Sequence, residues 1–404
     1  MQPRRVALCH VHFARSGGVE GYLHRLTEGL LERGWEVDVV CRKARSDLRH
    51  PRLRVHEIPV LRLSRSLRAW SFARRSHRRL VALDRERHYD AIHAFTKNAY
   101  YCDVFRDGGG CHLDYRAGYL DRFERGRWGR LWHRIAPYDR VLLRIERLRF
   151  GVDRGQIVYA NSHWVREQIA RRYDALPPER LRVLHNPVDL ERFHPRRREA
   201  GRRALEKIAA QTPRAERWFV FVGHDYQRKG LAELLAGFAR LEKDGGALCP
   251  WRLFVAGRER RPERFRAQAQ TLGIGARLHW LGPRADVPDL LAGADVLALP
   301  THFDAYPNVV PEAFASGTPA LVSRETGAAE LVEPGRTGWI VDRVEPESIA
   351  AALREALAPT DLEAFGRRAR ARAERCDEAS HLAQVIAIYD EQARRRGRHG
   401  RGER

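Results

Sequence analysis

Two carboxylates stand eight positions apart in the run FDAYPNVVPEAFASGTP at 303–319: Asp304 and Glu312. Mostly uncharged residues separate them, and the small-residue break Ala315-Ser316-Gly317 follows. Val296–Pro300 reads as a strand, Thr301–Pro307 as the loop after it, and Val309–Ser316 as the start of a helix. Asp304 then lies just before a helix N-terminus, whose unpaired amides attract anions, and Glu312 lies about one turn inside it. Carboxylates are strong acceptors for sugar hydroxyls. The pair reads either as a bracket on a hydroxyl-rich ligand or as an acid favouring the helix dipole plus an ordinary helix glutamate.

A second stretch, FVGHDYQRKGLAELLAGFARL at 221–241, ends a strand at Gly223 and opens a helix after Gly230. Arg228 and Lys229 are adjacent cations in that turn. A guanidinium forks onto phosphate oxygens and an ammonium adds a point charge, so the doublet suits a diphosphate. A solvated basic turn is the alternative. Against it, lysine occurs only at 43, 97, 207, 229 and 243. A third stretch, HFARSGGVEGYLHRL at 12–26, puts Gly17 and Gly18 between the first strand and the first helix. Glycines there serve a ligand loop or a plain tight turn. No GxGxxG is present, so a dinucleotide fingerprint is not supported.

Such residues need a scaffold that gathers strand ends. Apolar runs alternate with amphipathic helical stretches along the chain. The first set of strands reads as Val6–Leu8 running into His10–Phe13, then Trp35–Cys41, Leu53–Pro59, Asp90–Phe95, Ile157–Asn161 and Leu181–His185. The second reads as Trp218–Val222, Arg252–Ala256, Arg277–Leu281, Val296–Pro300, Ala320–Ser323 and Trp339–Val341. Nearly continuous apolar strands with helices between them indicate an α/β protein with parallel sheets covered on both faces. A length of 404 residues suits two domains. We expect one over 1–185 and another over 186–378, with the hinge near His185–Asp189. A C-terminal helix and basic tail over 379–404 is expected to pack back on the first. Ligands of open α/β sheets bind beyond the carboxyl ends of the strands, so the expected site is the cleft between the two domains.

Composition narrows the class. Hydrophobic residues at 43% and aromatics at 9% exclude wholesale disorder. No apolar run approaches the ~18–20 residues that span a bilayer. The start MQPRRVALCHVHFARSGG reads as a first strand rather than a signal peptide, since His10, His12 and Arg15 interrupt it. Cysteines at 9, 41, 102, 111, 249 and 376 form no CxxC pair and no metal spacing. Reduced thiols in a cytoplasmic protein are expected, and no metal. Lys plus Arg number 74 against 52 acids, a net charge of +22, which raises nucleic-acid binding first. The near-complete use of Arg over Lys reads instead as a coding habit, and the excess gathers at 42–87 and 116–154. A basic face there suits an anionic membrane or a phosphorylated substrate as well as it suits nucleic acid.

Five stretches, in order, carry a family resemblance: GGVE at 17–20, VLHNPVDLERFHP at 183–195, FVGHDYQRKG at 221–230, DAYPNVVPEAFASGTPALVS at 304–323 and GAAELVEPGRTGWIVD at 327–342. The chain resembles a family 4 glycosyltransferase of the GT-B type, with two Rossmann-like domains and a cleft between them. AIHAFTKNAYYCDVF at 91–105 and the Arg228-Lys229 doublet further resemble glucosyltransferases that extend the lipopolysaccharide inner core on heptose. The resemblance implies retaining transfer of a hexose from a nucleotide diphosphate sugar of the UDP-glucose type, without metal or other cofactor, to a lipid-linked glycan. It implies that Asp304 holds donor sugar hydroxyls and Glu312 the ribose. Arg228 and Lys229 would neutralise the diphosphate. Backbone around Tyr306, Asn308 and Val309 would meet the donor, and Gly17 and Gly18 the diphosphate. The chain departs from the family in having Asp304 where glutamate is usual and His224 where many relatives have arginine.

No protein base is identified this way. His93 and Asp103 are candidates at or after a strand end of the first domain, although a histidine such as His93 is more often a satisfied core residue than a catalyst. Arg65–Leu83 is an amphipathic helix with Leu67, Trp70, Ala73, Leu80 and Val81 on one side, read as an ordinary domain helix. Tyr115–Phe150 interleaves Trp128, Trp132, Ile135 and Leu142 with arginines and reads as a membrane- or acceptor-facing segment. The expected enzyme is cytoplasmic, peripheral at the inner membrane face, with no nucleic-acid partner. A basic nucleic-acid-binding protein and a non-catalytic nucleotide-sugar sensor are the rival readings.

Overall fold

Apolar runs sort into two parallel sheets, each within its own compact unit, in a computed structural model that describes residues 4–15, 17–120, 136–209, 216–245, 249–358 and 361–399. One unit comprises Met1–His185 with Ala379–Arg404, the other Asn186–Glu378. The strands of the first are β1 (Arg5–Cys9), β2 (His12–Ala14), β3 (Glu36–Cys41), β4 (Lys43–Arg45), β5 (Leu53–Glu57), β6 (Ala91–Ala94), β7 (Val104–Asp107), β8 (Ile157–Ala160) and β9 (Leu181–Val183). The main sheet has the order β5-β3-β1-β6-β7-β8-β9, with every pairing parallel. Strand order reverses between β1 and β6, so crossovers leave in opposite directions there and open a crevice at the carboxyl ends.

The helix Glu378–His399 completes this unit's core. Leu382, Val385, Ile388 and Tyr389 are buried with Leu8, Leu30 and Trp35. Arg182 and Arg4 pair with Glu391 and Asp390 on the same helix.

The second unit carries β10 (Arg217–Val222), β11 (Trp251–Ala256), β12 (Leu278–Gly282), β13 (Val296–Leu299), β14 (Ala320–Ser323) and β15 (Gly338–Val341). Their order is β12-β11-β10-β13-β14-β15, again all parallel. Numbered within the unit this is 3-2-1-4-5-6, the dinucleotide-fold order, with its switch point between β10 and β13. The core explains the strand sequences. RWFVFV of β10 and VLAL of β13 are apolar at nearly every position because helices cover both faces.

Several local expectations change. The run expected as one strand through Phe13 is two: β1 ends at Cys9, and β2 leaves the main sheet to pair with β4. β4 and β7 escape the apolar pattern because KAR and VFRD end in charged residues. The helix expected over Arg65–Leu83 runs Arg65–Arg87, and His88 ends it in the left-handed region. Its buried face is Ala69, Phe72, Ala73, Ser76, Leu80 and Leu83, while Leu67 is 41% exposed. Trp128, Trp132 and Ile135 lie outside the described residues, whereas Leu142 belongs to the buried face of the helix Pro137–Phe150.

Candidate active site

The loops after β10 and β13 flank the switch point of the second unit, and they are tied to each other. After β10, Asp225 takes a positive φ of 60° and its carboxylate accepts from Arg228 Nε at 3.2 Å. Gly230 has a φ of 73°, and a Cβ there would lie 1.9 Å from the Pro300 carbonyl oxygen. Only glycine lets the β10 loop close on the end of β13. From the other side, Thr301 Oγ1 (3.0 Å) and the His302 amide (2.9 Å) both donate to the Arg228 carbonyl. The β13 loop is laced in turn to the loop after β14. The Asp304 amide donates to Glu325 O at 3.3 Å, and the Gly327 amide to Asp304 O at 3.1 Å.

Asp304 sits where these ties meet. Its Oδ2 accepts from Lys229 Nζ at 2.5 Å and from Arg228 Nη1 at 2.9 Å, and its Oδ1 accepts from the Tyr306 amide at 3.2 Å. The side chains of Lys229 and Asp304 are 9% and 16% exposed. Burial pulls the Lys229 ammonium below its ordinary value against the attraction of Asp304. Burial also opposes an ionised Asp304, but the charges of Lys229 and Arg228 outweigh it and hold the carboxyl below its usual range. The sequence put the acid and the cations on separate tasks; the fold makes them one cluster.

The helix Val309–Ala315 begins beside this cluster. Asn308 precedes it without capping it, its side-chain oxygen accepting instead from Asn186 Nδ2 at 2.8 Å. A helix start leaves its first amides without an intrahelical acceptor, so those of Asn308 and Val309 can serve a ligand. The Tyr306 amide is committed to Asp304, and the Tyr306 ring is core, with burial pushing its hydroxyl well above the usual range. Glu312 is half-buried on the first turn, its amide bonded to Asn308 O. Asn186 was missed as a support residue. Its signal is the HNP of VLHNPVDLERFHP, which places an amide side chain before a rigid proline.

Residues 16–192 match the model of Glycosyltransferase Family 4, and residues 204–372 match that of the glycosyl transferases group 1. The chain belongs to the GT-B glycosyltransferases. Among its relatives, a D-inositol 3-phosphate glycosyltransferase of Saccharomonospora viridis is 27% identical across 96% of this chain and 94% of that protein. One of Corynebacterium diphtheriae is 31% identical across 51% of this chain and 49% of that protein. Two solved structures share the fold. WaaG, a glycosyltransferase involved in lipopolysaccharide biosynthesis, superposes with a TM-score of 0.76 at 23% identity, covering 95% of this chain and 99% of that one. HepE from Anabaena, in complex with UDP and glucose, gives 0.66 at 18% identity, covering 96% and 100%. The protein is therefore an enzyme of glycosyl transfer.

The first unit of this glycosyltransferase has its own cavity at its switch point, of about 390 Å³, at the carboxyl ends of β1, β6 and β7. Asp107 Oδ1 accepts from the amides of Gly109 (3.0 Å) and Gly110 (2.8 Å) and so shapes the turn after β7. That turn delivers His112 to the cavity wall, where its ring Nε2 meets Asp139 Oδ1 at 2.9 Å and its amide donates to Glu146 Oε2 at 2.9 Å. An ionised carboxylate only accepts, so Nε2 carries the proton and Nδ1 the lone pair. Burial lowers the basicity of His112 against the pull of Asp139. Sequence reading passed over this pair because its members lie 27 positions apart, one in a glycine-rich turn.

Both base candidates of the enzyme's first unit, His93 and Asp103, stand elsewhere than a base would need. His93 is fully buried in β6, its Nδ1 2.6 Å from the Tyr389 hydroxyl, and burial pushes its basicity well down. It is a core histidine. Asp103 precedes β7, at the amino edge of the sheet and away from the cavity; its carboxylate accepts from the Ile92 amide (2.8 Å) and pairs with Arg396 (3.2 Å). Gly17 takes a φ of 115° at the start of the helix Gly18–Glu32, where a Cβ would meet Glu20 Oε2 at 2.7 Å. Gly18 has open space around it.

Proposed function

We propose that this enzyme moves a hexose, with retention, from a nucleotide diphosphate sugar of the UDP-glucose type to a lipid-linked glycan such as the lipopolysaccharide core. The observation that carries the reading is the Arg228–Lys229–Asp304 cluster at the switch point of a dinucleotide-type sheet. Departure of a nucleoside diphosphate builds negative charge, and Arg228, Lys229 and the amides of Asn308 and Val309 are placed to stabilise it. These cations take the role a metal would otherwise fill, so no metal or other cofactor is required, and chelation should leave turnover unchanged. Asp304 meets the sugar hydroxyls and Glu312 the ribose. The bond from the anomeric carbon to the diphosphate breaks as the bond to the acceptor oxygen forms on the same face. A phosphate oxygen of the leaving group takes the acceptor proton.

The acceptor enters the first unit's cavity, where neutral His112 offers a lone pair to a hydroxyl. The UDP- and glucose-bound HepE and the lipopolysaccharide enzyme WaaG share the fold and support the donor and acceptor classes named here. A second acceptor is favoured by the curated relatives, whose names specify D-inositol 3-phosphate. Among the described residues no helix is long and apolar enough to cross a membrane. On the net charge of +22 we place the enzyme in the cytoplasm, held peripherally at the inner membrane face through its basic surface. The test is a transfer assay with radiolabelled UDP-glucose, against a heptose-terminated lipid core and D-inositol 3-phosphate, with and without EDTA. The anomeric configuration of the product is read by NMR. Transfer to the lipid core with retention supports the reading, transfer to inositol phosphate alone replaces the acceptor, and binding of donor without transfer or hydrolysis would favour a sensor.

A further inference from the structure

The carboxylate expected to receive the donor sugar is bonded to both of the cations expected to receive the diphosphate. Asp304 Oδ2 lies 2.5 Å from Lys229 Nζ and 2.9 Å from Arg228 Nη1. Among the described residues Asp304 is the only carboxylate on the Lys229 ammonium, whereas Arg228 is also held by Asp225 (3.2 Å) and by Phe303 O (3.1 Å). A nearly buried ammonium cannot stand without a counter-charge. Its counter-charge is Asp304, the residue with a second task.

We propose that Asp304 is the internal counter-ion of the diphosphate site and so makes the enzyme select a nucleotide sugar over a bare diphosphate. The proposal rests on the donor reading above. When the donor binds, phosphate oxygens take over Lys229 and Arg228, and the carboxylate oxygen they release accepts sugar hydroxyls. A ligand with both a diphosphate and an adjacent sugar gives the two cations two phosphate charges and gives the released carboxylate oxygen hydroxyl donors. A nucleoside diphosphate or pyrophosphate leaves a buried carboxylate facing phosphate with no hydroxyl to accept from, which like-charge repulsion penalises. After transfer the sugar is gone, the carboxylate reclaims its cations, and the diphosphate product is expelled. Oδ1 of Asp304 is anchored on the Tyr306 amide, which holds the carboxylate against Arg228 and Lys229.

The test is calorimetric titration of wild type, Asp304→Asn and Asp304→Glu with UDP-glucose, UDP and inorganic pyrophosphate. Asp304→Asn keeps an oxygen for the Tyr306 amide and removes the charge. It should bind UDP and pyrophosphate about tenfold tighter or more than wild type, and the preference for UDP-glucose over UDP should fall by a similar factor. Asp304→Glu, which restores the charge, should restore the preference. UDP and pyrophosphate binding that is unchanged or weaker in a folded Asp304→Asn protein overturns the counter-ion and leaves the donor reading standing. Failure of all three ligands to bind wild type overturns the donor reading with it. Should Asp304→Asn be too unstable to titrate, melting with and without pyrophosphate decides. The anion should raise its melting temperature more than that of wild type, and an equal or smaller rise overturns the proposal.

Discussion

Lys229 and Arg228 are expected to carry most of the leaving-group stabilisation, because they lie in the loop after β10 at the switch point and are held in place by Asp304. Replacing either with alanine should lower turnover about 10²-fold or more, roughly 3 kcal/mol of transition-state stabilisation. Steady-state release of UDP from UDP-glucose checks this, and wild-type turnover in both variants would remove the pair from the mechanism. His93 shows the opposite situation, a titratable side chain used for packing. Its folded-state basicity is depressed by burial. The unfolded chain takes up a proton near pH ~6.5 that the folded chain refuses, so this contribution is complete above that value and is lost as pH falls below it. Wild type should lose up to about 1.4 kcal/mol per pH unit more than His93→Phe below pH ~6.5. Urea unfolding across that range measures it, and parallel pH profiles for the two proteins would contradict the assignment.

At the scale of elements, the site is built from loops that follow parallel strands and close on one another. Gly230 is the contact point between the loop after β10 and the end of β13. Gly230→Ala must move one of the two, at a cost on the order of 1–3 kcal/mol for the strained backbone, and it should weaken UDP-glucose binding along with stability. Thermal melting and titration together test this; a loss of stability with donor affinity intact would mean the loop can shift without disturbing Lys229. The helix Glu378–His399 is the other telling element, since its Tyr389 is fully buried against Trp35 and bonded to His93. Tyr389→Ala should cost about 3–5 kcal/mol, as for other large aromatic side chains removed from a core. Denaturant unfolding would show it, and a change below about 1 kcal/mol would mean that the helix is peripheral to the fold.

The charge belongs to the molecule as a whole. A net +22 exceeds what one site needs, and each basic residue near an anionic surface contributes about 1 kcal/mol of attraction. The enzyme should co-sediment with vesicles containing anionic lipid, bind neutral vesicles less, and detach as salt rises. Trp128→Ala and Trp132→Ala should steepen the salt dependence if those rings enter the interface. Equal attachment to neutral and anionic vesicles, or none at low salt, would leave the arginines as a coding habit.

Local pattern was enough to read two α/β sheets, because a strand buried on both faces is apolar at nearly every position, as in RWFVFV and VLAL. It was also enough to place Asp304 in a loop and Glu312 on a helix, since proline, asparagine and the apolar run mark the helix start. Strands ending in charge, such as VFRD, were invisible to it, and so Asp103 was set beyond a strand end when it precedes one. What only tertiary structure decided is which distant groups meet. Lys229 and Asp304 are 75 positions apart and join because β10 and β13 are neighbours at the point where strand order reverses. His112 and Asp139 join because a helix packs across the turn after β7. Periodicity and charge are properties of a short window of chain, whereas sheet order is settled by how whole crossovers pack, and that order chooses the partners of every side chain at the strand ends.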